Sequence, residues 1–298
     1  MFSQRNSIRI ILILLTALGL SACASLLPPQ PTSTPTATLT PEPPTATPEP
    51  LALTVNGEGI SYTEFDAEVT RYISAQETLG KTVAQEDATN AVIQDLTAQL
   101  LLAQGAHTNG YTLDDAGLQS RIDALAAQVG GAENLSRWES DHGYSEHTFR
   151  SALRRDTESA WMRDKIIAEV PSTAVQVHVQ QILLYNQETA ESFLIQLNGG
   201  TDFDALAARA DPLTRGDLGW IPQGYLLEPK IEEAAFGLGL GDHSVVIETS
   251  VGFHIIRVLE RDPNRPLSPD AYLVLQEHAL KNWIEQQRQQ ATIVLAPT

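Results

Sequence analysis

Between Pro28 and Pro50 the chain places nine of its seventeen prolines and seven threonines, with almost nothing apolar between them. Such a segment cannot bury enough surface to offset the entropy of ordering it. Proline holds it near the polyproline II shape at about 3.1 Å per residue, so it can reach roughly 70 Å. The tract therefore reads as a semi-stiff, disordered tether over residues 24–50. It fixes where folding can begin: any globular body must be built from Leu51 onward. That leaves about 248 residues, enough for one large or two modest domains.

The residues before the tether form an address. Arg5 and Arg9 make a positive start, and Ile10 to Leu20 make an apolar run. Eleven residues rise only about 16 Å as a helix, against a bilayer core of roughly 30 Å. Residues 1–23 thus read as a signal peptide and stand apart from the fold. The run ends in Leu20-Ser21-Ala22-Cys23, which resembles the lipobox of bacterial lipoproteins. The resemblance implies that Cys23 is diacylated and becomes the mature N-terminus. Cys23 is the only cysteine, so no intramolecular disulfide can form. Acyl chains contribute about 0.8 kcal/mol per buried methylene, which predicts a membrane-anchored protein outside the cytoplasm.

The body is acidic. A net charge of -18, spread along the chain, argues against nucleic acid or an anionic lipid surface as partner. It opens with a short strand and an Asn-Gly turn, Leu53 to Ile60. Ser61 and Glu64 then have the spacing of a capping box. Helical stripes follow at Val92, Leu96, Leu100 and Ala103; at Leu118, Ile122, Leu125 and Val129 behind Asp114 and Asp115; and at Phe149, Leu153, Trp161 and Ile166 after Ser145. These read as core, and none carries a catalytic cluster. From Pro269 a last helical pattern holds Leu273, Leu280, Trp283 and Ile284, and Ile293 to Leu295 suit a final strand.

Between these helical regions the periodicity changes. Val175 to Leu184 alternates and is β-branched, as a strand should be. Helices are expected at Thr189–Leu197, Asp202–Arg209 and Ile231–Phe236, and strands at Ser244–Glu248 and Gly252–Leu259. Two glycine-framed runs stand out, Gly216-Asp217-Leu218-Gly219-Trp220 and Gly252-Phe253-His254-Ile255-Ile256, with Ala234-Ala235-Phe236 between them. Together they resemble the signature of the parvulin peptidyl-prolyl isomerases. Where that family usually opens its first strand with His-Ile-Leu, this chain reads Gln181-Ile182-Leu183. With the Val55-Asn56-Gly57 opening and the helical stretch, the whole body resembles the SurA and PrsA class of extracytoplasmic foldases. The resemblance implies an α+β fold. A SurA-like helical chaperone domain (51–170) would be completed by a C-terminal helix and strand (263–298). A parvulin-like isomerase domain (171–262) would be an antiparallel sheet covered by helices.

The chemistry suits such a site. Rotation about a peptide bond faces a barrier of about 18–20 kcal/mol, and an X-Pro bond takes tens to hundreds of seconds to isomerise. A catalyst needs no metal, cofactor or covalent intermediate. It must hold the proline ring in an apolar cup, exclude water and favour the twisted amide. By resemblance the cup is Leu218, Leu226, Ile231 and Phe236, with Leu227 the rival of Leu226. Asp211 takes the acidic position beside the amide, and Thr249 and His254 belong to a hydrogen-bonded group beneath the pocket. Gln181 replaces that group's second histidine; like a neutral imidazole, it can donate and accept at once. His178 has the opposite strand parity and faces away. Structural alternatives stand beside these roles: Asp211-Pro212 is a common turn start, and Leu218 and Phe236 also suit a core. Arg215 alone remains of the basic cluster with which phosphate-reading parvulins bind phosphoserine. The implied function is a foldase isomerising X-Pro bonds of nascent or unfolded exported polypeptides. The alternative is a holdase whose isomerase module only grips. A hydrolase finds no Gly-x-Ser-x-Gly or His-Glu-x-x-His motif in the chain.

Overall fold

A computed structural model describes residues 49–296. The signal peptide, Cys23 and all but the end of the tether lie outside the described residues. The body begins with a hairpin, β1 (Leu51–Val55) and β2 (Glu58–Ser61), paired antiparallel. Asn56 and Gly57 both take positive φ, 53° and 89°, as a tight turn matched to strand twist requires. The same Asn56 ties the chain ends together. Its N–H donates to Thr292 O and its Oδ1 accepts from Thr292 N–H, each at 2.9 Å. This places β7 (Ile293–Leu295) against the free edge of β1, giving the sheet order β2-β1-β7.

Five helices follow the hairpin: α1 (Tyr62–Thr78), α2 (Gln85–Thr108), α3 (Asp115–Gln128), α4 (Ala132–Asp141) and α5 (Glu146–Ala168). Leu53, Val55, Ile60, Phe65, Val92, Leu96 and Leu100 join hairpin, α1 and α2 in one core. Only half of the expected capping box forms at α1. Ser61 Oγ accepts from Glu64 N–H, but the Glu64 carboxylate turns inward to Arg155 of α5 at 2.8 Å. A reciprocal box forms instead at Ser145 and Thr148, at the start of α5. Helix α4 was not expected from the pattern, since it buries only Leu135. Val129, placed on a core stripe by its spacing, is the C-cap of α3 and 42% exposed.

The last helix, α9 (Pro269–Gln290), returns to this domain. Ala279, Leu280, Trp283 and Ile284 pack on Leu102, Ala106, Met162 and Ile166. Gly105 leaves the room that Trp283 fills: a Cβ there would lie 2.6 Å from the indole ring. Leu273, grouped with this stripe by spacing, is 62% exposed.

Between α5 and α9 lies the second domain: β3 (Thr173–Leu184), α6 (Gln187–Asn198), α7 (Phe203–Ala210), β4 (Asp217–Pro222), α8 (Pro229–Gly237), β5 (Ile247–Thr249) and β6 (Gly252–Pro266). All pairings are antiparallel, in the order β4-β3-β6-β5. One face buries Val177, Val179, Ile221, Ile256 and Val258 under α8. The other buries Ile182 and Ile255 under Phe193 and Leu197 of α6 and Phe203 and Leu206 of α7. Strand β6 runs to Pro266, beyond its expected end. The strand expected from Ser244 is reduced to β5 and an isolated bridge at His243. There the Ser244 hydroxyl takes a place in the ladder, accepting from Ile256 N–H at 3.0 Å.

Candidate active site

The first glycine-framed run is built around backbone contact. Gly216 takes φ +71°, and its carbonyl accepts from Gln181 N–H at 2.8 Å. A Cβ at this position would fall 1.8 Å from the Gln181 carbonyl oxygen. Only glycine lets the loop approach β3 this closely. Asp217 Oδ1 then accepts from Gly219 N–H at 2.8 Å, bridging the irregularity in the β3–β4 register before Trp220 and Ile221 continue the pairing.

Three polar side chains meet on the face of the sheet below α8. In the β3–β6 register Gln181 lies opposite Ile256, so His254 is its same-face diagonal neighbour. His254 Nδ1 lies 3.0 Å from Gln181 Oε1, and its Nε2 lies 2.9 Å from Thr249 Oγ1. Nδ1–H therefore donates to the Gln181 carboxamide, and the Thr249 hydroxyl donates to Nε2. His254 is 3% exposed. Burial holds its pKa below the ordinary histidine value, opposed by the charge of Glu228.

This has a consequence for stability. A histidine whose folded pKa is depressed contributes fully above its unfolded pKa of about 6.5, and the contribution is lost as pH falls through the folded value. Asp95 and Asp156, whose carboxyls burial raises, act in the opposite sense. The comparison must therefore be differential. In urea melts from pH 7.5 to 5, His254→Asn should show a flatter acid-side loss than the unaltered chain. Parallel curves would show that His254 is not the titrating group.

Above this group lies an apolar cleft of about 480 Å³, lined by Gln181, Leu218, Tyr225, Leu226 and Ile231. Leu226 packs on the core below it, while Leu227 is 95% exposed at the cleft edge. The loop carrying Leu226 is held by Glu232 of α8, whose carboxylate accepts from the N–H groups of Gly224, Tyr225 and Leu226 at 2.8–3.1 Å. Sequence reasoning missed Glu232 and Tyr225; an acidic residue one turn inside a helix that begins at Pro229 was the available signal. Phe236 joins the same hydrophobic cluster, with the Arg261 guanidinium 6.0 Å from its ring centre.

Asp211 is placed differently. It caps the C-terminus of α7, and Oδ1 accepts from the N–H groups of Leu213 (2.9 Å) and Thr214 (3.2 Å). Its other oxygen accepts from the Thr214 hydroxyl. That hydroxyl and these backbone groups hold its carboxyl below the usual range. His178 pairs with Asp217 at 2.9 Å and stacks on Trp220, apart from the Gln181 face as strand parity requires. Among the described residues no cluster of three or more metal-ligating side chains occurs, and no helix is long and apolar enough to cross a membrane.

Residues 165–262 match the family model described as PPIC-type PPIASE domain, and residues 45–153 match the SurA-like N-terminal domain. The chain is 38% identical over 92 residues to foldase protein PrsA of Halalkalibacterium halodurans, covering 29% of this chain and 27% of that protein. It is 29% identical over 223 residues to foldase protein PrsA of Caldanaerobacter subterraneus, covering 68% and 71%. To chaperone SurA of Nitrosococcus oceani it is 30% identical over 141 residues, covering 40% and 33%. The matched stretches thus span from about a quarter to about seven tenths of these relatives' own lengths.

Proposed function

We propose, from the premise that the chain belongs with the foldases joining a SurA-like N-terminal domain to a PPIC-type PPIase domain, that it isomerises X-Pro bonds in unfolded exported polypeptides. The observation that carries this reading is the unbroken Thr249–His254–Gln181 hydrogen-bond chain beneath an apolar cleft. The proline ring enters between Leu218, Leu226 and Ile231, with Phe236 supporting the cup from the core. There water is excluded and the planar, charge-separated amide loses the solvation that stabilises it. His254 acts as a neutral scaffold, because both its nitrogens are engaged. It orients the Gln181 carboxamide, which lines the cleft.

Gln181→His and Gln181→Leu test this in a proline-peptide isomerisation assay on the full chain. Histidine can take over the bond to His254, so kcat/KM should stay within a few-fold. Leucine leaves a buried ring nitrogen unpartnered, at a cost of about 1–3 kcal/mol, and kcat/KM should fall about tenfold or more. An unaltered chain no faster than a His254→Ala, Asp211→Ala double variant would sink the isomerase reading.

One observation favours a second reading, a holdase that grips extended segments with little turnover. Both Asp211 oxygens are engaged by their own loop, and Asp211 is not on the cleft lining. Absence of protection for an unfolded client at excess protein would count against it. Either activity is placed outside the cytoplasm by the signal peptide and by acylation of Cys23. Mass measurement of the mature N-terminus should find acyl chains on Cys23, and an unmodified cysteine would overturn the anchor.

A further inference from the structure

The cleft is not made by the isomerase domain alone. Val274, on the second turn of α9, lines it together with Gln181, Leu226 and Ile231. That position lies twelve residues beyond the end of the matched PPIase stretch. The helix is seated there by the loop it faces: Gly224, at φ +85°, lets the loop lie against α9, and a Cβ at Gly224 would come 3.3 Å from Leu275 Cδ2. Nine residues further along, about 14 Å of helix rise, Trp283 of the same helix fills the space left by Gly105 in the chaperone domain. One unbroken helix thus carries a wall of the cleft at one end and a core side chain of the other domain at the other.

We infer that Val274 is a specificity-determining residue of the isomerase site, contacting a residue that flanks the substrate proline. This rests on the cleft being the proline pocket. The substrate class follows from the wall. Tyr225, Leu226, Leu227 and Val274 offer an apolar surface, and the acidic residue on the lining is Glu228, whose Oε1 accepts from the Ser250 hydroxyl at 3.2 Å. Sequences with a bulky apolar residue beside proline fit, and those with an acidic residue there are disfavoured by Glu228.

The test uses the full chain and short peptides with Leu, Phe, Lys or Glu placed before proline in one series and after it in a second, read by isomerisation rate and by fluorescence anisotropy of labelled peptide. Val274→Ala should raise KM for the Leu and Phe peptides several-fold with kcat little changed. Val274→Lys and Val274→Glu should shift the Glu/Lys peptide preference in opposite directions, the two ratios differing about tenfold. Opposite shifts cannot arise from a general loss of folding. The same peptide ranking in both charged variants and in the unaltered chain overturns the inference and leaves the isomerase reading intact. Binding without turnover in the unaltered chain overturns the isomerase reading, and the ranking is then judged by anisotropy. Neither binding nor turnover overturns both.

Discussion

Gly216→Ala is expected to destabilise the PPIC-type domain by about 2–5 kcal/mol and to remove most of the isomerase activity proposed for it. Two costs add. A residue with a Cβ in the left-handed region costs roughly 1–2 kcal/mol, and Gly216 sits at φ +71°. The new Cβ would also stand 1.8 Å from the Gln181 carbonyl oxygen. That atom is backbone and cannot swing away, so the strand must move, with a typical overpacking cost of about 1–3 kcal/mol. The movement breaks the Gln181 N–H bond to Gly216 O and displaces the carboxamide that holds His254. Gly219→Ala separates the two costs. It shares φ +71°, but nothing lies within 4 Å of its Cβ position, so only the conformational cost should appear. Urea melts of the two variants check this; equal losses would show that the contact with β3 carries no strain.

Arg155→Ala should cost the SurA-like helical domain about 3–5 kcal/mol, the usual result of leaving a buried charge without its partner. Arg155 and Glu64 are 9% and 8% exposed along their side chains and 2.8 Å apart, and Arg155 Nε donates to Gln99 Oε1 at 3.1 Å. The guanidinium also offsets neighbours. Burial raises Asp156 and Asp95, the carboxylate of Glu68 raises both further, and Arg155 is the counter-charge acting on both. Without it these carboxyls take up protons more readily. The loss should therefore be larger at pH 7.5 than at pH 5.5, because protonation on the acid side neutralises the stranded charges. Replacing the pair together, Glu64→Leu with Arg155→Met, should recover most of the stability. Thermal melts of single and double variants decide it. A double variant as unstable as Arg155→Ala would mean that the lost packing matters more than the stranded charge.

What could be read from the chain alone follows the range of the forces involved. Turn geometry at Asn56-Gly57, capping at Ser61, the alternation of β3 and the stripes of α2 and α5 are local, and spacing was enough for them. The two glycine-framed runs brought together on paper Leu218, which lines the cleft, and His254, which bonds the Gln181 carboxamide beneath it. Glu64 shows where local reading stops: its spacing suits a box at α1, but its carboxylate joins Arg155, 91 positions away. A buried guanidinium offers more than one exposed backbone N–H. Helix α4 escaped notice because it buries so little, and Val129 was wrongly placed on a core stripe because spacing does not show that the helix ends there. Asp211 kept the turn role that its proline neighbour suggested.

By itself the sequence determined most of the order of elements from Leu51 onward and the residues Gln181, Thr249 and His254 that form the polar group under the cleft. Only the tertiary structure decided whether Gln181 meets His254. That depends on a register between β3 and β6, set by pairing along both strands rather than by either alone. It likewise decided that Glu232 anchors the Leu226 loop and that Val274 closes the cleft. Packing brings these groups together across separations that no local periodicity encodes.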